Sequence, residues 1–195
     1  MSISTGAAVQ WLRDGLQIIK SADETEKLAA SVPDSGDVYF VPAFVGLAAP
    51  YWDQYARGML IGITGGTTRA HIVRATLEAI AFQVAENLQV MRKDSGLSIE
   101  TMRVDGGAVV NKFLMQFQAD ILGIPVQVPV IHETTALGAA LLAALGVGDF
   151  DNLEEIKGVW KLAHTYEPTF SNDRREALMA RWKKAVARCR AWVEG

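Results

Sequence analysis

Met102-Arg103-Val104-Asp105-Gly106-Gly107-Ala108-Val109-Val110-Asn111 is a short apolar run that breaks at a diglycine and restarts with helical spacing. The residues before Asp105 suit a brief buried strand, and the two glycines permit a close backbone approach or a positive φ that a side chain forbids. Beyond them, Val109, Val110, Phe113, Leu114, Phe117, Ile121 and Leu122 recur at three-to-four spacing, which predicts a helix from near Val109 to Leu122 with one buried face. A strand that ends in glycine and opens a helix gathers free N–H groups and the positive end of a helix dipole at one point, a natural seat for a phosphate. An ordinary strand-to-helix turn leaves the same trace, so the motif needs support from its surroundings.

Downstream, Gly123-Ile124-Pro125-Val126-Gln127-Val128-Pro129-Val130 reads as a short strand bounded by prolines. Glu133 to Gly146 then reads as a capped helix of small and aliphatic residues, in which Gly138, Ala139 and Ala140 allow close backbone packing. A helix apolar on every side is expected to be buried on most sides, as the centre of a core or a pivot between domains. Strand, helix, strand and helix in this order predict βαβ units on a parallel sheet. A short acidic helix follows from Asp149 to Lys157, then a linker through Thr165, Tyr166, Glu167, Pro168 and Thr169. From about Asp173 to Val193, Leu178, Met179, Trp182, Val186 and Cys189 alternate with arginines and lysines, the pattern of a helix laid on a domain with its basic face in solvent.

Upstream, Met59 to Thr64 is a strand-like run, and Gly65-Gly66-Thr67-Thr68 is a turn that ends on good N-cap residues. The helix from His71 to Met91 has a wide apolar face, and His71 in its first turn suits a capping role, because no partner falls at metal-ligand spacing. Val38-Tyr39-Phe40-Val41 is β-rich and Pro42 confines it to an edge or an end. The aromatic stretch from Ala43 to Gly58 has almost no periodicity, and either packs as a loop on its own interior or forms the wall of a binding cleft or a domain interface. Within it, Asp53 and Arg57 stand at a spacing that allows a pair. Ala22 to Gly36 reads as a short polar helix ending in a turn, and Ser4 to Lys20 as an amphipathic helix. A chain that opens on so apolar a helix is expected to lack the strands that cover it, and so to expose apolar surface there.

The 195 residues are 50% hydrophobic and 21% charged, a balance that belongs to soluble globular chains with one substantial core or two small ones. A net charge of -3 argues against nucleic acid as a partner, and no apolar run approaches the ~20 residues that span a bilayer. Cys189 is the single cysteine, which excludes intrachain disulfides and favours a reducing, cytoplasmic setting.

Four groups of residues carry a resemblance to a known family. Pro42-Ala43-Phe44, Gly46-Leu47, Ala49-Pro50-Tyr51-Trp52-Asp53 and Ala56-Arg57-Gly58 resemble the signature loop of glycerol kinases, within the wider FGGY carbohydrate kinases. Gly58, Leu60, Gly62, Ile63, His71, Ile72, Ala75, Thr76, Leu77 and Glu78 resemble the second signature of that family. Arg103 to Ala108, with Asn111 and Phe113 to Gln118, is similar to its adenosine-binding segment, and Thr135 to Ala140 to its small-residue helix between the two halves. The resemblance runs from Gly6 to about Trp192. Val45, Ala48 and Gly65 depart from the usual hydroxyl residue, glycine and arginine, and none lies at a nucleotide position.

The resemblance implies an α/β fold, the C-terminal actin-like (ribonuclease H-like) ATPase domain with its first strands missing. It assigns residues 1–168 to that nucleotide-binding domain and 169–195 to an amphipathic helix packed on it. It implies ATP-dependent phosphorylation of glycerol to sn-glycerol 3-phosphate with Mg²⁺, ATP and glycerol as partners and a homo-oligomer when full length. Gly6, Gln10, Gly107 and Asn111 are the ATP-binding positions it implies, with Asp105, Gly106 and Ala108 completing the nucleotide motif. No catalytic or metal-binding residue is expected in this chain, since the family's base lies in the other domain, and the chain by itself is expected to be inactive. A xylulose-directed kinase would share the diglycine but not the Ala49-to-Gly58 signature, and a non-catalytic nucleotide- or protein-binding module is the third reading.

Overall fold

A computed structural model describes residues 5–194. The chain opens with α1 (Thr5–Gln10), which does not continue as one regular helix to Lys20: it passes into a π turn over Trp11–Gly15. Leu16 N bonds Trp11 O at 2.9 Å, an i→i+5 closure, and Gln17 at a φ of 55° then ends the element. Next come α2 (Glu24–Ala30), β1 (Tyr39–Val41), β2 (Met59–Ile61) and the long α3 (Arg69–Ser95). Strands β1 and β2 form an antiparallel pair with Phe40 opposite Leu60. Thr68 caps α3, its N–H donating to His71 Nδ1 at 3.1 Å, so His71 is the capping residue that its place in the first turn suggests.

The second half is built on β3 (Met102–Arg103), a 3₁₀ turn (Gly107–Val110), α4 (Lys112–Leu122), β4 (Val126–Pro129) and α5 (Thr134–Val147). It continues through α6 (Leu153–Lys157), β5 (Leu162–Tyr166) and α7 (Asn172–Cys189). Strand β3 runs parallel to β4, with Met102 opposite Val126, as the βαβ pattern requires. Strand β5 pairs antiparallel with β4 and occupies part of what reads in sequence as linker. It is an edge strand whose residues 162–164 are exposed, so no clean alternation marks it.

The main core lies between α3, α4 and α7. Phe82 stacks on Trp182 at 5.2 Å and meets the edge of Phe117 at 5.6 Å. Asp120, buried on α4, accepts from Thr169 N at 2.6 Å and Thr169 Oγ1 at 2.9 Å, which ties the approach to α7 onto that core. Cys189 is buried, its thiol donating to Val186 O at 3.2 Å, and burial pushes its pKa up to about 11, which makes it inert.

Three expectations are corrected here. The helix after the diglycine starts at Lys112 rather than near Val109, because Asn111 stays extended and its Oδ1 caps Leu114 N at 2.9 Å. Asp53 and Arg57 do not pair. Asp53 accepts from Tyr55 N, Ala56 N and Ala191 N and lies 3.6 Å from Arg190, while Arg57 donates to the carbonyls of Gln54 and Ala56. Helix α5 is not buried on most sides: none of its residues is buried, and Leu142 and Val147 are 62% and 79% exposed. Near the first helix Leu16 is 38% exposed, and further exposed apolar side chains lie on α5 and in the loops.

Candidate functional site

Parallel strands place their C-terminal ends, and the turns that leave them, at one end of a sheet. Here Val104 N donates to Gln127 O at 3.0 Å just beyond β3, and the chain then turns through Asp105 and Gly106. Gly106 N reaches His132 O at 2.8 Å, and the Thr134 hydroxyl bonds the Asp105 carboxylate, so the turns after β3 and β4 are laced together. Asp105 thus has a structural task on the page.

The diglycine divides its labour. Gly106 has φ 82° and ψ 178°, a conformation open to glycine almost alone, so the turn itself dictates that residue. Gly107 begins the 3₁₀ turn and is absent from the residues at positive φ. A Cβ built on it meets no protein atom within 4 Å. The fold places no demand for glycine at 107.

In front of that turn lies an open cleft of about 870 Å³, within the size range of small-molecule sites. One wall is α1 and the π turn, with Gly6, Val9, Gln10 and Arg13. A second is α2 with the residues before it, Ala22, Asp23, Thr25, Glu26 and Lys27. The diglycine turn and the start of α4 supply Asp105, Gly106, Gly107, Ala108, Val110, Asn111 and Leu114, and Leu77 and Ile80 of α3 line the floor. The structure therefore brings Gly6, Gln10, Asp105, Gly106, Gly107, Ala108 and Asn111 onto one cavity, although about 100 residues of sequence separate the two groups. Gly6, Gln10 and Arg13 share a helix face, being three and four residues apart. Gly6 repeats the observation made at Gly107: an added Cβ there meets nothing within 4 Å among the described residues.

Several lining residues escape sequence reading. Thr25 and Glu26 sit in a segment that reads only as a polar surface helix, yet Asn111 Nδ2 donates to Thr25 Oγ1 at 3.0 Å and Lys112 N to Glu26 Oε2 at 2.8 Å. Nothing local marks them, because the contacts cross 86 residues. Lys27 stands at the cleft without an ion pair among the described residues, whereas Arg13 is engaged by Asp14 at 2.7 Å. The aromatic loop from Ala43 to Gly58 contributes nothing to the lining. It packs on itself and the core instead: Ala43, Leu47 and Ala56 are buried, and the Tyr51 hydroxyl donates to the buried Glu86. Burial raises the Glu86 pKa, offset by the bond from Tyr51, and Trp182 and Lys183 act in the same direction as Tyr51. Of its two possible roles, the loop is the self-packed one with respect to this cleft.

Chemically the cleft offers amide and hydroxyl groups, the cations Arg13 and Lys27, the carboxylates Asp23, Glu26 and Asp105, bare glycine backbone and an apolar floor. It suits a flat polar ligand with an anionic tail better than a reaction centre. No group of three or more His, Cys, Asp or Glu among the described residues stands close enough to chelate a metal. No helix among them is long and apolar enough to cross a membrane.

Comparison with known proteins agrees with this geometry. Residues 2–147 match the FGGY family of carbohydrate kinases, C-terminal domain. The chain is 64% identical over 188 residues to glycerol kinase 2 of Thermotoga maritima, covering 96% of this chain and 38% of that protein. Among solved structures it is similar to Plasmodium falciparum glycerol kinase with ADP, with a TM-score of 0.86 and 36% identity over 95% of this chain and 37% of that one. The xylulose kinase of Rhodospirillum rubrum matches with a TM-score of 0.77 and 26% identity over 94% of this chain and 38% of that one. The chain spans less than two fifths of the length of each of these proteins.

Proposed function

Because the chain belongs to the FGGY family of carbohydrate kinases, we propose that it is the ATP-binding, C-terminal part of a glycerol kinase, and that its cleft holds the nucleotide whose γ-phosphoryl group passes to a terminal hydroxyl of glycerol. The observation that carries this reading is the pair of glycines the fold does not require. Gly6 and Gly107 both line the cleft, and neither added Cβ meets an atom of the described residues within 4 Å. What sets these two apart from other glycines with open space beside them is that both line the cleft, where a bare backbone lets a ligand approach closely. The ADP held by the Plasmodium falciparum relative names the ligand class that fits it.

In this reading Gly107 presents its backbone to the nucleotide, while Asn111 and Gln10 offer amide donors and acceptors to it. Asn111 is oriented by two bonds, one to Thr25 Oγ1 and one from Leu114 N, so its carboxamide is fixed before ligand arrives. Phosphoryl transfer demands positioning and charge neutralisation more than covalent help from the protein. Mg²⁺ neutralises phosphate charge in such reactions, and no group of three or more His, Cys, Asp or Glu among the described residues stands close enough to hold it. Asp105, the one carboxylate of the diglycine motif, is engaged by Thr134 and is a poor general base. The polyol site and the base belong to the remainder of a full-length kinase. A pentose kinase fits less well, since identity falls from 64% with the Thermotoga maritima protein to 26% with the xylulose kinase.

The test is a coupled assay of ADP release on the purified chain. No glycerol-dependent turnover is expected from it alone, and joining it to the remaining part of a relative should restore turnover with glycerol and not with xylulose. Turnover by the isolated chain, or a preference for xylulose, would contradict the assignment.

A further inference from the structure

We propose that Arg74, which does not line the cleft, is a positioning residue that fixes the α2 wall of the cleft by holding the C-terminal end of α2. The inference rests on the nucleotide reading above. Arg74 lies on α3 and is 9% exposed. Its Nε donates to Glu78 Oε1 at 2.8 Å, and its Nη1 donates to Val32 O at 2.6 Å and Ala29 O at 3.3 Å. Its guanidinium also lies over the ring of Phe113, 4.9 Å from the centroid. One side chain thus touches the end of α2 and the first turn of α4, two neighbouring elements of the cleft that are bonded to each other through Thr25–Asn111 and Glu26–Lys112.

Helix α2 needs such a hold. It has 7 residues, too few to persist on local propensity, and Asp23 makes no side-chain cap at its start. The contacts of Thr25 and Glu26 with Asn111 and Lys112 fasten only its first turn to the ligand-facing segment. The carbonyls at its other end lack helical partners, and Arg74 supplies them.

The choice of residues supports positioning over simple stability. A buried Arg–Glu pair contributes little net stability compared with apolar residues of similar volume, because both charges lose water. Burial indeed raises the Glu78 pKa, and Arg74 opposes that shift. An apolar pair would serve a core as well, but it would make no directional bonds to Ala29 O and Val32 O. Those bonds are what the guanidinium uniquely adds.

The experiment uses the full chain and two variants, R74K and the double variant R74M/E78L. Three quantities are read: Tm, the Kd for ADP with Mg²⁺ by calorimetry well below Tm, and amide hydrogen exchange across α2. The double variant should melt near or above the wild-type Tm, yet both variants should bind ADP about tenfold or more weakly, as expected for lost charged hydrogen bonds. Amides of α2 should exchange faster in both while those of α4 hold their protection. The proposal is overturned if the double variant binds ADP like the wild type, or if α2 exchange is unchanged. If the wild-type chain binds no ADP, the nucleotide reading fails by itself, and the α2 exchange still decides whether Arg74 holds that wall.

Discussion

Helices α4 and α5 each follow a strand of the same sheet, and the one richer in small aliphatic residues is the one left bare. Lys112–Leu122 carries polar Gln116, Gln118 and Asp120, yet eight of its residues are buried. Thr134–Val147 has no charged residue, and none of its residues is buried. The difference lies in partners. Every turn of α4 meets α3, α7 or the segment after β5, with Phe117 between Phe82 and Phe170 and Asp120 satisfied by Thr169. Helix α5 has its first turn tied to Asp105 through Thr134 and little beyond that. Apolar composition records that a helix is made to be covered, and only the neighbours decide whether it is.

The largest expected effect tests that contrast directly. Phe117→Ala should destabilise the chain by about 3–5 kcal/mol, whereas Leu142→Ala should change stability by less than about 0.5 kcal/mol, both read from urea melts. Equal losses would show that α5 is packed in solution and would break the comparison.

A second contrast, of intermediate size, separates the two glycines of the turn. Gly106→Ala must adopt a φ of 82° and should cost about 1–3 kcal/mol. Gly107→Ala should leave thermal stability nearly unchanged, since its Cβ enters open space. Differential scanning calorimetry of the pair distinguishes a glycine the fold needs from one it does not.

The smallest effect sharpens the comparison at the other apolar stretch, the loop from Ala43 to Gly58, which buries Ala43, Leu47 and Ala56 where α5 buries no residue. Its Tyr51 bonds Glu86, whose folded pKa lies above the ordinary value of 4.5 because of burial. The native state then binds this proton more readily than the unfolded chain, so the associated stability is present below pH 4.5 and is lost as pH rises through the folded pKa. Glu86→Gln removes the penalty while keeping an acceptor for Tyr51. The Tm gain of the variant should be near zero at pH 4 and grow towards pH 8, at about 2–4 °C per kcal/mol. A gain that shrinks with rising pH would contradict the direction given for Glu86.

Much of this was legible beforehand because it depends on neighbours in sequence. The strand–diglycine–helix unit, the parallel β3–β4 pair, the Thr68 cap and the long α3 all follow from periodicity and turn chemistry within a few residues. What was not legible depends on contacts made far away. Strand β5 is recruited by β4 across an edge, Asp53 reaches Ala191 and Arg190 rather than nearby Arg57, and α2 becomes a cleft wall through Asn111. Turn pattern alone treats both glycines alike, whereas backbone geometry separates Gly106, required by the turn, from Gly107, which the turn leaves free. Local pattern located the candidate site without dividing its residues by role.

The central claim is that the space beside Gly107 is kept for a nucleotide, and calorimetric titration of ADP with Mg²⁺ into the wild-type chain and Gly107→Val tests it most directly. The wild type should bind, and the valine variant should bind at least about tenfold more weakly while melting close to the wild-type Tm, because a branched side chain then fills space the ligand requires. A variant that binds ADP normally, whatever its Tm, would contradict the claim.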